Sequence, residues 1–142
     1  YTTDACTTLI GFGASAIGSF PQGYVQNLTK ELDWRDAVER GELPVARGVA
    51  LTADDRFRGE IIERLMCDLA VDLAAVCRTH DRDLAALDSE IASLAPFEQD
   101  GLLRREDARL SVTEPGRLVV RAIAAAFDAY FKPEEGRHSR TL

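Results

Sequence analysis

Apolar residues recur along this chain with two clear periods. From Phe57 onward, Ile61, Ile62, Leu65, Met66 and Leu69 follow at three- and four-residue steps, one face of an amphipathic helix. Arg56, Arg58, Glu60, Glu63 and Arg64 fill much of the remainder. Thr52-Ala53-Asp54-Asp55, just before it, matches a capping signature. The Thr52 hydroxyl can accept the Asp55 amide, and the two carboxylates suit the positive end of the helix dipole. A second helix is predicted over Leu73 to Thr79. A third runs from Ser89 to about Glu98, with Ile91, Leu94 and Ala95 inward, and ends at Gly101. The period then changes to two. Leu102-Leu103-Arg104-Arg105, a turn near Asp107, and Arg109-Leu110-Ser111-Val112-Thr113 read as a hairpin, with Leu110 and Val112 on the covered side. Thr113-Glu114-Pro115-Gly116 opens a last helix, where Pro is tolerated because that first-turn amide has no partner. Its buried stripe is predicted as Val119, Val120, Ile123, Phe127, Tyr130 and Phe131, stopped by Pro133, and the tail from Glu134 to Leu142 is polar.

The front of the chain is patterned differently. Leu32, Asp36 and Glu39 alternate with Trp34, Ala37 and Val38 in a helical pattern that stops at Gly41. Glu42-Leu43-Pro44-Val45-Ala46-Arg47-Gly48 reads as a connector, since Pro44 disfavours helix at Leu43 and Gly48 punctuates. Residues 1 to about 28 are rich in Thr, Gly and Ser, with Asp4 the only charged side chain. There the apolar pair Leu9-Ile10 predicts a short buried strand opening into the loop Gly11-Phe12-Gly13-Ala14-Ser15-Ala16-Ile17-Gly18. The expected organisation is residues 1–28 as the end of a larger domain, 29–50 as a connecting helix and linker, and 51–142 as a compact unit. The expected class is α+β, mainly helical, with helices, a two-stranded wing and a closing helix in a winged-helix-like order.

Bulk properties narrow the picture. A chain of 142 residues, 46% hydrophobic and 29% charged, is about one domain and can bury roughly two-thirds of its unfolded surface. Nothing approaches the ~18 continuous apolar residues of a membrane helix, and the first residues lack a basic leader region. The expectation is no membrane and a cytoplasmic setting. The formal net charge of −7 disfavours nucleic acid. Three cysteines, Cys6, Cys67 and Cys77, lack zinc-site spacing and read as reduced thiols.

Gly11-Phe12-Gly13-Ala14-Ser15-Ala16 fits G-x-G-x-x-[GA], the dinucleotide fingerprint. That motif must open a helix within a βαβ unit, and Gly18, Pro21 and Gly23 interrupt the segment that follows. Two readings of the loop stay open: a tight turn that needs Gly for its backbone, or close approach to a ligand. A DNA-reading helix should offer Arg, Lys, Asn or Gln to base edges, whereas the helix before the wing offers Asp88, Glu90, Glu98, Gln99 and Asp100. Cys67 and Cys77, ten positions apart, would point in different directions from one helix. His80 and His138 are isolated and read as surface or cap residues. Arg47, Arg56, Arg58, Arg117 and Arg121 could meet an anion, with solvated ion pairs as the default. No nucleophile–base–orienter set is readable, so no catalytic residue and no metal ligand is assigned.

Taken together, several segments resemble one family. Tyr1-Thr2-Thr3, Leu9 through Ile17, Tyr24-Val25-Gln26-Asn27, Arg47 through Asp55, Ile61 through Cys67, Asp100-Gly101-Leu102, Thr113 through Arg117 and Arg121 through Phe131 stand in the order found in the oxygen-independent coproporphyrinogen III oxidases, radical S-adenosylmethionine enzymes of haem biosynthesis. The resemblance implies a C-terminal fragment: the last strand and loop of the catalytic barrel, then the family's helical C-terminal domain. It implies an enzyme that oxidatively decarboxylates two propionates of coproporphyrinogen III to vinyls. A [4Fe–4S] cluster held by C-x-x-x-C-x-x-C and S-adenosylmethionine are its cofactors, and an electron donor its partner. The cluster motif is absent here, so the chain by itself is expected to bind no cofactor and to be inactive, and to be monomeric. By the same resemblance Ile17 contacts S-adenosylmethionine, with Gly11, Phe12, Gly13 and Ser15 beside it. Arg47 and Arg56 are the candidates for substrate propionates. The alternatives are the haem-chaperone branch, whose loop reads G-P-G-A-H, and a helical partner-binding module without chemistry.

Overall fold

The computed structural model describes residue 6 and residues 8–131. Two compact units are present, one within residues 4–52 and the other within residues 53–142. Segments expected at Tyr1-Thr2-Thr3, Asp4, Pro133, the tail and His138 lie outside the described residues.

The first unit is built on an antiparallel sheet of order β1-β2-β3: β1 (Ile17–Phe20), β2 (Gly23–Asn27) and β3 (Val45–Ala50). A two-residue turn at Pro21-Gln22 joins β1 to β2, with Phe20 opposite Gly23. Antiparallel pairing follows the residues that break the segment after the glycine loop, and leaves no place for a dinucleotide-binding βαβ unit. Helix α1 (Glu31–Glu39) carries Glu31 and Asp33 in its first turn and turns Ala37 into the interior.

Two expectations for this unit are corrected. Leu9-Ile10 is no buried strand: Leu9 makes one isolated bridge with Ser19, and the pair is 58% and 61% exposed. The connector after Gly41 contains β3. Every residue of β3 is exposed, so it shows no alternation, and its existence rests on pairing with β2.

The second unit begins with α2 (Ala53–Asp68), directly after Thr52. Phe57, Ile61 and Leu65, at four-residue steps, are 2%, 0% and 0% exposed, with Ile62 and Met66 partly covered beside them. Leu69, placed on this stripe by its spacing, lies past the helix end with φ of 55°. Next come β4 (Ala70–Asp72) and α3 (Leu73–Thr79), whose bounds match the sequence reading. The Asp72 carboxylate caps α3 by accepting the Ala75 amide at 2.8 Å. A 3-10 turn at Leu84–Leu87 leads to α4 (Asp88–Ser93) and α5 (Ala95–Gln99).

The single helix expected over 89–98 is therefore broken at Leu94. Pro96 offers no amide and its ring crowds the carbonyl one turn back. The chain bridges the break with Leu94-to-Ile91 and Phe97-to-Leu94 turn bonds. Leu94 is still fully buried.

Strands β5 (Leu103–Glu106) and β6 (Arg109–Val112) form the hairpin, with Asp107 in its turn at φ of 53°. The sheet order is β4-β6-β5, so Leu110 on the central strand lies between Val71 and Arg105. A 3-10 turn at Pro115–Val119 and α6 (Val120–Ala125) close the unit. Ile123 and Phe127 are fully buried and join Phe57, Ile61, Leu65, Leu87, Leu94 and Leu110 in one core. Each such side chain contributes about 1.5–3 kcal/mol relative to exposure.

The stripe expected to continue through Tyr130 and Phe131 does not: they are 75% and 56% exposed. The helix has ended, and the Asp128 carboxylate accepts the Tyr130 amide in a local turn. The Tyr130 hydroxyl instead donates to Asp55 at 2.8 Å.

Candidate functional site

The glycine loop is a turn tied down by β2. The Ser15 amide donates to the Leu28 carbonyl at 2.8 Å, and the Asn27 amide to the Ala16 carbonyl at 2.9 Å. Leu9 and Ser19 exchange both backbone bonds at 2.8 Å. Gly13 has φ of 94° and Ser15 has φ of 62°, so the turn passes twice through left-handed backbone. A side chain at Gly11 would sit 2.9 Å from the Ile17 carbonyl group. Both glycines are thus required by the turn's own folding, whatever ligand lies against it.

Side-chain amides complete the fastening. Asn27 Nδ2 donates to the carbonyls of Gly13 at 2.9 Å and Gly11 at 3.2 Å. Gln26 Nε2 reaches the Ser15 carbonyl at 3.4 Å, and Gln26 Oε1 accepts from Arg47 Nε at 2.8 Å. With these carbonyls turned to the sheet, the loop presents apolar side chains: Phe12 is 87% exposed and Ile17 54%. Ile17, Gln26 and Arg47 stand opposite one another across the three strands and so share a face.

This places the residues singled out from the sequence. Gly11, Phe12, Gly13, Ser15 and Ile17 form one turn, with Arg47 tied to it through Gln26. Arg56 belongs to the other unit, exposed on α2, so the two arginines are not gathered in one cluster within either unit. Gln26 and Asn27 carried only family resemblance in the sequence reading. A readable signal existed in two side-chain amides at the strand's end, a setting in which a glycine-rich loop's free carbonyls need donors.

The second unit uses its charges on itself. Arg58 pairs with Asp54 at 2.8 Å and Glu90 at 2.7 Å, and Arg117 with Glu114 at 3.3 Å. Arg121 lines a cleft with Ile62, Met66, Asp128 and Phe131. His80 caps α3, and its Nε2 lies 2.7 Å from a Glu60 carboxylate oxygen. Burial alone would raise the Glu60 pKa. Hydrogen bonds from Arg64 and His80 outweigh it and hold the carboxyl below its usual range. Burial, with Asp83 nearby, pushes the Cys77 thiol up, away from the thiolate that metal ligation needs. Among the described residues no three His, Cys, Asp or Glu converge as a metal site. This donor set does not fit an iron–sulfur cluster. The apolar face of the 11–17 turn does fit contact with an uncharged portion of an organic ligand.

Residues 51–119 match the HemN C-terminal domain. This second unit is similar to that domain family. The match opens just ahead of α2 and closes at Val119, so Ile123 and Phe127 extend the core of this unit past the matched segment. Similarity also runs well in front of the domain. The chain is 43% identical over its full 142 residues to a Bradyrhizobium diazoefficiens protein named oxygen-independent coproporphyrinogen III oxidase, covering 32% of that protein. The same name is borne by an Escherichia coli protein, 35% identical over 133 residues, which are 93% of this chain and 29% of that one. A solved structure described as coproporphyrinogen III oxidase (HemN) from Escherichia coli, a radical SAM enzyme, superposes with a TM-score of 0.84 at 33% identity, over 92% of this chain and 30% of that one. The chain spans about a third of the length of the curated relatives it matches and corresponds to their C-terminal part.

Proposed function

We propose that this chain serves as the C-terminal part of an oxygen-independent coproporphyrinogen III oxidase, which converts two propionates of coproporphyrinogen III to vinyls with loss of carbon dioxide. The observation that carries the reading is that similarity covers the whole chain, the glycine turn included, rather than stopping at the limits of the HemN C-terminal domain. In this reading residues 1–28 end the catalytic domain, residues 29–50 connect, and residues 51–142 form the C-terminal domain. A winged-helix-like description of the latter is supported by the order β4-β6-β5 interleaved with helices. The setting is cytoplasmic, the substrate a porphyrinogen, and reducing equivalents come from an external donor. Among the described residues no helix is long and apolar enough to cross a membrane.

When bound, S-adenosylmethionine with a reduced cluster supplies the hydrogen-abstracting chemistry. The contribution of this chain is a wall. Ile17 and Phe12 present apolar surface that excludes water from one side of the cofactor, while the Gly11, Gly13 and Ser15 carbonyls are held inward by Asn27 and Gln26. Arg47 and Arg56 stand as candidates for substrate propionates. Arg47 already spends its Nε on Gln26, which leaves the terminal guanidinium nitrogens for that role.

The test uses the intact enzyme, incubated anaerobically with coproporphyrinogen III, S-adenosylmethionine and a reductant. Conversion to protoporphyrinogen IX, abolished in Ile17→Asp, is the expected result. Stoichiometric haem binding without decarboxylation would assign the protein to the haem-chaperone branch instead.

A further inference from the structure

Asn27 stands apart from the other residues of the small unit because one side-chain amide serves two carbonyls of a turn that precedes it by fourteen and sixteen positions. Its backbone amide holds a third, that of Ala16. Three anchors from this one residue, at Gly11, Gly13 and Ala16, therefore converge on the segment between Gly11 and Ile17, where the backbone adopts left-handed φ at Gly13 and Ser15. A non-glycine residue at positive φ is unfavourable by itself and persists where its surroundings over-determine it. Ser15 itself is held by its amide bond to the Leu28 carbonyl and by Gln26, and the Asn27 side-chain amide fixes the Gly11–Gly13 stretch that leads into it. Aspartate has the same shape but no N–H to donate, and would set carboxylate oxygens against two carbonyl oxygens. Gln26 cannot substitute, since its 3.4 Å contact reaches the Ser15 carbonyl.

We infer that Asn27 is a positioning residue: it fastens the Gly11–Gly13 segment so that Phe12 and Ile17 present a preformed apolar wall to S-adenosylmethionine. This rests on the proposed role of the turn as a cofactor wall. Asn27 does not touch the cofactor. It lowers the ordering that binding would otherwise require.

The experiment compares Asn27→Asp, Asn27→Ala and Ile17→Asp in the intact enzyme. Its readouts are equilibrium binding of S-adenosylmethionine, the KM-against-kcat split for it, and amide hydrogen exchange of the 11–17 segment without cofactor. Losing two ordinary hydrogen bonds predicts binding weakened about tenfold. Exchange in 11–17 rises in both Asn27 variants, with the exchange of α2 and α3 unchanged, and the effect falls on KM more than on kcat. Asn27→Ala, which removes the donor without adding charge, keeps the test readable if Asn27→Asp fails to fold. Weakened binding in Ile17→Asp, with binding and loop exchange unchanged in Asn27→Ala, overturns the positioning role and leaves the cofactor-wall reading standing. Unchanged binding in Ile17→Asp overturns that reading, and this inference with it.

Discussion

Arg58 Nη1 lies 2.7 Å from Glu90 Oε1, joining α2 to α4 between residues 32 positions apart. The side chains are 20% and 13% exposed, and the same guanidinium reaches Asp54 through Nε. Removing one partner strands the other charge in a mostly dry site. Arg58→Met is expected to lower the unfolding free energy by about 2–3 kcal/mol, and the double variant with Glu90→Gln to lose less than the sum of the singles. Urea unfolding followed by circular dichroism reads both. A loss near zero would place the pair among exposed ion pairs, which contribute little.

Acid should act through two carboxyls of this unit. Burial by itself raises the Glu90 pKa. The Ser89 hydroxyl and Arg58 outweigh it, so Glu90, like Glu60, titrates below the ordinary 4.5. A carboxyl depressed in the folded state stabilises above its unfolded value and loses that contribution as pH falls through the folded value. The thermal midpoint is therefore expected to drop below about pH 4.5, because both depressed values lie under that figure. The variant carrying Glu60→Gln and Glu90→Gln should start lower at neutral pH and fall less steeply in acid. An equally steep fall would mean that other groups govern acid unfolding.

One glycine tolerates a methyl group and another does not. A Cβ at buried Gly116 would collide with the Leu102 carbonyl oxygen and sit 3.0 Å from Val112 Cγ1. Gly116→Ala is expected to cost about 3 kcal/mol through backbone displacement. At Gly59, exposed within α2, a Cβ meets nothing within 4 Å. There alanine is the better helix former, and Gly59→Ala should stabilise by about 0.5–1 kcal/mol. Thermal melts of the two variants should move in opposite directions.

The three cysteines lack the C-x-x-x-C-x-x-C spacing and differ in burial, with Cys6 exposed, Cys67 half-buried and Cys77 buried. Anaerobic reconstitution of this chain with iron and sulfide is expected to leave no stoichiometric cluster. One cluster per chain, with its visible absorbance, would contradict the donor-set argument.

Different parts of the molecule were legible in the sequence to different degrees. The Phe57–Ile61–Leu65 stripe, the bounds of α3 and the hairpin turn at Asp107 could all be read, because local spacing states which face seeks cover. The break at Leu94 has a local cause in Pro96, set against apolar spacing that continues the helical pattern across it. The early end of α6 had weaker local cause, since Tyr130 and Phe131 continue the pattern that the chain abandons.

By itself, then, the sequence determined the apolar stripe of α2, the bounds of α3, the hairpin and the family resemblance, all carried by residues close together along the chain or by their order. Only the tertiary structure decided that the exposed segment Val45–Ala50 is a strand, that Arg47 is tied to Gln26, and that Asn27 holds Gly11 and Gly13. An exposed strand has no burial pattern to announce it. A side-chain amide carries no local record of which carbonyl it will meet when its partners lie fourteen and sixteen positions away and are brought near only by the register of β1 on β2.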